Sequence, residues 1–372
     1  MKLPLQLLST ASLLLNLAAE EPKSPAEAPA PAAQETPKAP EGMVYIAGGT
    51  YTRGEDRDLG GTAHYPEEQP VHKVTVSSFF IDKNEVTNRE FTKFVEATGY
   101  KTQAERGLTK KDFPNAPADQ LKAGALVFKA PESTVENRWQ PGAEWQWWHF
   151  TEGANWQHPT GPESSIEDKM DHPVVCVTKE DADAYCQWAG KRLPTEAEWE
   201  RAARGNHKHA IFIWGDRAKP DSKKWPANIY QGEFPHKNSA LDGFTGSAPV
   251  RSFPPNDFGL YDMAGNVWEL CADFYRPDYY QKFAKNPVQD PTGPPAEQAI
   301  SQVDTTPFAQ GKPIPDTVDI YHPLTRLWVT KGGSFLCHHT YCLRYRPAAR
   351  HYSESLSPSN HTGFRCVKTV TE

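Results

Sequence analysis

Thirty-four prolines and twenty-five glycines are spread through a chain of 372 residues, and this punctuation constrains the fold more than any other feature. Proline removes a backbone donor and glycine loosens the backbone, so a chain interrupted this often cannot sustain many long helices or central strands. Its connections must be long and irregular, and they need something besides regular backbone hydrogen bonding to hold them. Seventeen Phe, fourteen Tyr and eleven Trp supply it, because each ring buries a large apolar area. Three helix starts carry a mechanism. Thr87 with Glu90, Thr178 with Asp181 and Thr195 with Glu198 read as capping boxes, and the helices they open stop at Gly99, Gly190 and Gly205. The first turns Phe91, Phe94 and Val95 inward. MVYIAGGTYTRG, from Met43, reads as two short strands about Gly48-Gly49, and HKVTVSSFFI, from His72, as another pair. There is no repeat of fixed length. The elements predict one α+β domain dominated by loops, over residues 43–372.

The first 42 residues read differently. Lys2 and the apolar run Leu3 to Ala18, closed by Ala18 and Ala19, have the form of a signal peptide over 1–19. The cleavage region has no cysteine nearby, so it is not a lipoprotein signal. Residues 20–42, EEPKSPAEAPAPAAQETPKAPEG, form a Pro/Ala-rich linker that cannot bury a core. No later segment is long and apolar enough for a bilayer. The chain is therefore expected to be exported (periplasmic, secreted or lumenal), with no stable membrane span after leader removal, into a disulfide-permissive compartment. A formal net charge of −7 gives no reason to expect nucleic acid as a partner.

Two of the six cysteines, Cys337 and Cys342, stand five apart in KGGSFLCHHTYCLRYRPAAR (Lys331 to Arg350), after a Gly-Gly turn and before Arg344, Arg346 and Arg350. On these residues alone the pair is a redox couple, a soft-metal site, an ordinary structural disulfide, or half of a zinc site completed by His338 or His339.

GANWQHPTGPESS (Gly153–Ser165), AYCQWAGKRLPTEAEWERAARG (Ala184–Gly205), WPANIYQGEFP (Trp225–Pro235), GLYDMAGNVWEL (Gly259–Leu270), the cysteine segment and GFRC (Gly363–Cys366) occur in this order. Together they resemble the formylglycine-generating enzymes, or sulfatase-modifying factors, over roughly residues 43–372. RLPTEAEWE and GNVWE belong to the wider superfamily and imply its fold, loop-rich and similar to a C-type lectin. The GGS-x-x-C-x4-C-x-R-Y-R stretch is specific to the branch that oxidises a cysteine in a Cys-x-Pro-x-Arg segment of a sulfatase to Cα-formylglycine, using O2 and a thiol reductant. The resemblance implies that Cys337 and Cys342 hold Cu(I) and that unfolded or nascent sulfatases are the partners. It implies catalytic roles for Ser334 and Trp268 and substrate-groove roles for Tyr341 and Arg350.

It further implies two structural Ca2+ sites, one from Asn228, Ile229, Asp242 and Phe244, the other from Asp262, Gly265, Val267 and Glu269, and a disulfide between Cys186 and Cys366. Cys176 and Cys271 either pair or remain buried thiols. A second family bridge is missing as a unit, Ala203 and Pro347 standing at its positions. Asp262 stands where vertebrate members have Asn, and His361 where they have an asparagine near the groove, with Asn360 adjacent. The Pro-rich residues 281–330 read as a surface insertion that alters which sulfatases are accepted. The competing readings are a non-catalytic binding or scaffold protein on the same fold, whose relatives generally lack the cysteine pair, and an iron-dependent sulfoxide synthase, which wants a histidine cluster on an added helical domain.

Overall fold

In the computed structural model, which describes residues 36–59, 65–113, 116–138, 140, 142–218, 224–284, 286–299 and 326–371, the first four strands nest, the outer two pairing with each other and the inner two likewise. They are β1 (Met43–Ile46), β2 (Gly49–Arg53), β3 (His72–Val76) and β4 (Phe79–Asp82). β2 pairs antiparallel with β3, Gly49 opposite Val76, while β1 pairs antiparallel with β4, Met43 opposite Asp82. All four expected strands are present, but each takes its partner from the other segment. Gly48 permits the crossing, since a Cβ there would lie 2.8 Å from the Val76 carbonyl oxygen. The expected signal peptide and residues 20–35 of the expected linker lie outside the described residues, and residues 36–40 have no regular structure.

Helices α1 (Asn88–Thr98), α3 (Lys179–Trp188) and α4 (Glu196–Arg204) open with the three predicted capping boxes. In the first, the Glu90 N–H donates to Thr87 Oγ1 at 3.2 Å and the Thr87 N–H to Glu90 Oε2 at 2.9 Å. A short α2 (Gln103–Arg106) uses Thr102 and Glu105 in the same way. The apolar face of α1 is cemented by rings: Phe91 meets Phe94, Trp156 and Tyr185 at centroid distances of 5.2–5.9 Å.

β5 (Gly124–Phe128) and β6 (Trp148–Glu152) form one antiparallel pair, and β7 (Gly232–Glu233) and β8 (Lys237–Asn238) another. β9 (Trp268–Phe274) is central to a four-stranded sheet with β11 (Leu327–Lys331), β12 (His351–Glu354) and β13 (Thr362–Gly363), in the order β12-β11-β9-β13. β14 (Val367–Thr369) completes the β1–β4 sheet. β10 (Val288–Gln289) lies parallel to β3, so the described first part of the expected surface insertion is built into a sheet. Residues 300–325 of it lie outside the described residues. The whole is an α+β architecture, poor in helix and rich in loops, as the proline and glycine content requires.

Charge is gathered in the core around α4. Glu196, Glu200, Arg53, Lys331 and Arg350 are all fully buried. Arg53 reaches Glu196 at 2.8 Å, and Lys331 reaches Glu200 at 3.3 Å. Burial by itself raises a carboxyl, but Lys331, Arg204 and Arg53 outweigh it and hold Glu200 down at about 2. Glu196 is held lower still against the same burial, by Arg350, Arg53 and Lys331.

Candidate functional site

β11 ends at Lys331, and the chain turns at once through Gly332 and Gly333, both left-handed at φ 87° and 73°. Both glycines are required: a Cβ on Gly333 would press the Tyr345 nitrogen at 3.0 Å, and one on Gly332 the Trp199 ring at 3.1 Å. Two tight turns follow. The Cys337 N–H donates to the Ser334 carbonyl at 2.9 Å, and the Cys342 N–H to the His338 carbonyl at 2.8 Å. They bring the Cys337 and Cys342 sulfurs to 2.7 Å, where both border a cavity of about 370 Å³. Ser334, Tyr341 and Trp268 border it too. Tyr341 stacks on Phe234 at 4.1 Å, and Trp268 lies 5.3 Å from the His351 ring.

Ion pairs hold the segment at both ends. Lys331 is tied to Glu200, and Arg350 forks onto Glu196 through Nε at 2.5 Å and Nη2 at 3.0 Å. Arg346 forks onto Glu68 at 2.6 and 2.7 Å, and Arg344 reaches Glu67 at 2.8 Å. Arg350, expected in the substrate groove, is fully buried and is not among the residues that border the cavity. Its guanidinium finds its carboxylate on α4, as a structural ion pair.

The two thiols are unlike. Burial pushes Cys337 well up, and its S–H shared with Cys342 adds to the rise. Cys342 is lowered to about 7, first by that hydrogen bond, then against burial by Arg344. Two sulfurs without a hard ligand fit a soft monovalent cation such as Cu(I). For the zinc reading, His338 Nδ1 is engaged by Thr340 Oγ1 at 2.9 Å. Among the described residues no three His, Cys, Asp or Glu side chains converge to hold a metal.

Two cavity histidines were not assigned a role in advance. His361 stands in the wall with its Nδ1 buried and unpartnered and its ring 4.6 Å from Trp148. Burial pushes it down to about 3, and burial with Arg344 and His361 pushes His351 well down, so both imidazoles are neutral. Asn360, the neighbour considered for the groove, instead accepts the Phe128 N–H at 3.1 Å. Only the substitution at 361 signalled any of this in the sequence.

Of the first expected calcium set, three residues are linked by hydrogen bonds. Asp242 accepts from the Ile229 and Phe244 N–H groups, both at 3.0 Å, and Asn228 Oδ1 is buried with no partner. The Gln231 amide reaches both Asp242, at 2.7 Å, and the Ile229 carbonyl, which brings these two oxygens to one point. Such a set fits a hard cation. The second set assembles only in part. Both Glu269 oxygens are taken by Arg365, at 2.6 and 2.7 Å, and one also by Trp199 Nε1. The unsatisfied group there is Glu85, fully buried with Oε2 unpartnered, beside Asp262, which burial raises to about 6. Gly265 joins the two regions: a Cβ there would lie 2.1 Å from the Asn228 carbonyl oxygen.

Cys186 and Cys366 face each other as buried free thiols, sulfurs 3.2 Å apart. Cys176 and Cys271 sit in separate apolar clusters, so they do not pair. Each is a buried thiol raised by burial.

With this geometry in hand, comparison with known proteins gives consistent matches. The family model described as the sulfatase-modifying factor enzyme 1-like domain matches residues 28–370. A formylglycine-generating enzyme of Thermomonospora curvata is 43% identical over 333 residues, covering 88% of this chain and 93% of that one. A formylglycine-generating enzyme of Bos taurus is 38% identical over 344 residues, covering 92% of this chain and 78% of that one. Among solved structures, PvdO from Pseudomonas aeruginosa superposes with a TM-score of 0.53 at 21% identity, covering 88% of this chain and 94% of that one, a likeness of fold.

Proposed function

The chain belongs to the sulfatase-modifying factor family, and from that premise we propose that it is an exported, copper-dependent oxidase that matures sulfatases. Its substrate is the cysteine of a Cys-x-Pro-x-Arg segment in an unfolded sulfatase, and its product is Cα-formylglycine. The observation that carries this reading is the pair of facing sulfurs of Cys337 and Cys342, 2.7 Å apart beside a cavity. Converting a cysteine to an aldehyde removes two electrons and releases sulfide, while reducing O2 to water takes four. A thiol reductant supplies the difference. One substrate thiol, one O2 and two reductant thiols give one aldehyde, one hydrogen sulfide, one reductant disulfide and one water. Cu(I) held by Cys337 and Cys342 would supply a soft position for the substrate thiol and for O2.

The chain's own residues prepare that position. Arg344 favours the thiolate of Cys342. Tyr341, stacked on Phe234, and Trp268 form apolar walls that exclude water. Neutral His351 and His361 add no cation to repel an arginine-bearing segment. Ser334 offers a hydroxyl at the cavity. Ca2+ at Asn228, Ile229, Asp242 and Phe244 would brace the loop before β9, and a Cys186–Cys366 bridge would tie α3 to the strand at the C-terminus.

Protein loaded with Cu(I) and supplied with O2, a reductant and a Cys-x-Pro-x-Arg peptide should form the aldehyde, read by mass spectrometry. Cys337→Ser and Cys342→Ser should each reduce it to background. Unchanged turnover in either variant, or none from fully loaded wild type, overturns the reading.

A further inference from the structure

We propose that the cavity beside the cysteine pair continues into a second subsite that takes one apolar side chain of the substrate polypeptide, from outside its Cys-x-Pro-x-Arg core. This rests on the reading above that an extended sulfatase segment enters the first cavity. A second cavity of about 180 Å³ shares Leu126, Trp145 and Ser357 with the first. Its remaining wall is mainly apolar, with Leu108, Phe150, Leu356 and Pro358. Its one charged residue, Lys122, is turned onto Glu152 at 2.7 Å.

The rim is as informative as the wall. Trp145 is 62% exposed and Phe150 49%, and Tyr352, at 41%, stands over the first cavity. Large exposed rings gathered around two joined cavities mark a surface meant to be covered. Phe150 can lie there because β5 begins with glycine: a Cβ on Gly124 would be 2.8 Å from the Phe150 ring and 2.4 Å from the Thr151 carbonyl oxygen.

The ridge between the cavities also says how recognition works. The Leu126 N–H donates to the Pro358 carbonyl at 2.9 Å, and its own carbonyl accepts from the Asn360 N–H at 3.0 Å. That backbone is committed, so a visiting chain cannot add as a strand at Leu126. It must cross the ridge and drop a side chain beyond it. The occupant that continuity with the first cavity favours is therefore a leucine- or phenylalanine-sized residue flanking the core motif.

The test reads binding without turnover. Fluorescent peptides with Ser in place of the reacting Cys carry the core motif alone, or the core with a single Leu or Asp scanned through flanking positions on either side. Full-length protein is titrated by anisotropy. At one flanking position Leu should bind about tenfold tighter than Asp. The Leu-to-Asp ratio should fall toward one in Leu356→Asp and in the surface variant Phe150→Ser. No position with a ratio above about twofold, or a ratio kept in both variants, overturns the subsite. So does a concentration-dependent dimer that Phe150→Ser abolishes, which would assign the surface to a second copy. If the loaded protein forms no aldehyde, the catalytic reading falls alone, because anisotropy still decides this one.

Discussion

Replacing Arg350 by Met tests the reassignment of this residue from substrate groove to buried anchor. The guanidinium donates to both Glu196 oxygens, at 2.5 and 3.0 Å, and to the carbonyls of Glu67 and Arg276 at 3.2 and 3.1 Å. It also lies 4.3 Å from the Tyr280 ring centroid. Methionine fills similar space but leaves the Glu67 carbonyl without this donor and a carboxylate short of one cation, while the Arg276 carbonyl keeps the Tyr279 N–H at 3.3 Å. Glu196 keeps Arg53 at 2.8 Å and Lys331 at 3.9 Å, which softens the loss without removing it. Breaking a buried pair of this kind costs about 3–5 kcal/mol. For a domain of this size the unfolding entropy is about 0.7 kcal/mol/K, so Tm should fall by about 4–7 °C. Arg350→Lys, keeping the charge but not the fork, should fall between. Scanning calorimetry reads the shift, and peptide KM is measured on folded variant at lower temperature. If Tm moves by less than about 1 °C while KM for the peptide rises, Arg350 meets substrate and the anchoring argument is refuted.

Two further outcomes are expected. Asp273 is fully buried, with Oδ1 unpartnered, and burial followed by Glu196 raises it to about 7. An acid raised in the folded state contributes stability that is complete below its unfolded value of about 3.9 and lost as pH rises through about 7. Asp273→Asn, which does not titrate, should therefore gain Tm relative to wild type between pH 5 and pH 8; a difference that stays constant with pH contradicts the assignment. Millimolar Ca2+ should raise the wild-type Tm and chelation lower it, with about 2.7 kcal/mol of stabilisation at a hundredfold excess over Kd. An equal response in Asp242→Asn would place the cation elsewhere.

What was legible in the sequence was local. The capping boxes join residues three apart, and their partners are chosen by helix geometry alone, so Thr87, Thr178 and Thr195 could be read directly. The turns that carry Cys337 to Cys342 are equally short. Strands were visible as patterns, but the nesting of β1 with β4 around β2 with β3 was not, because strand pairing depends on which edges meet in space.

The sequence by itself therefore determined a loop-rich α+β chain held by aromatic cores, with two cysteines a few residues apart in a glycine-led loop. Only the tertiary structure decided where the charges around those cysteines point. Arg350 meets Glu196 from 154 residues away, and Arg346 meets Glu68 from 278. A guanidinium can face solvent, substrate or a buried carboxylate with the same neighbours in sequence. The choice is made by which acid the folded core places within reach, since a buried charge without its partner is too costly to persist.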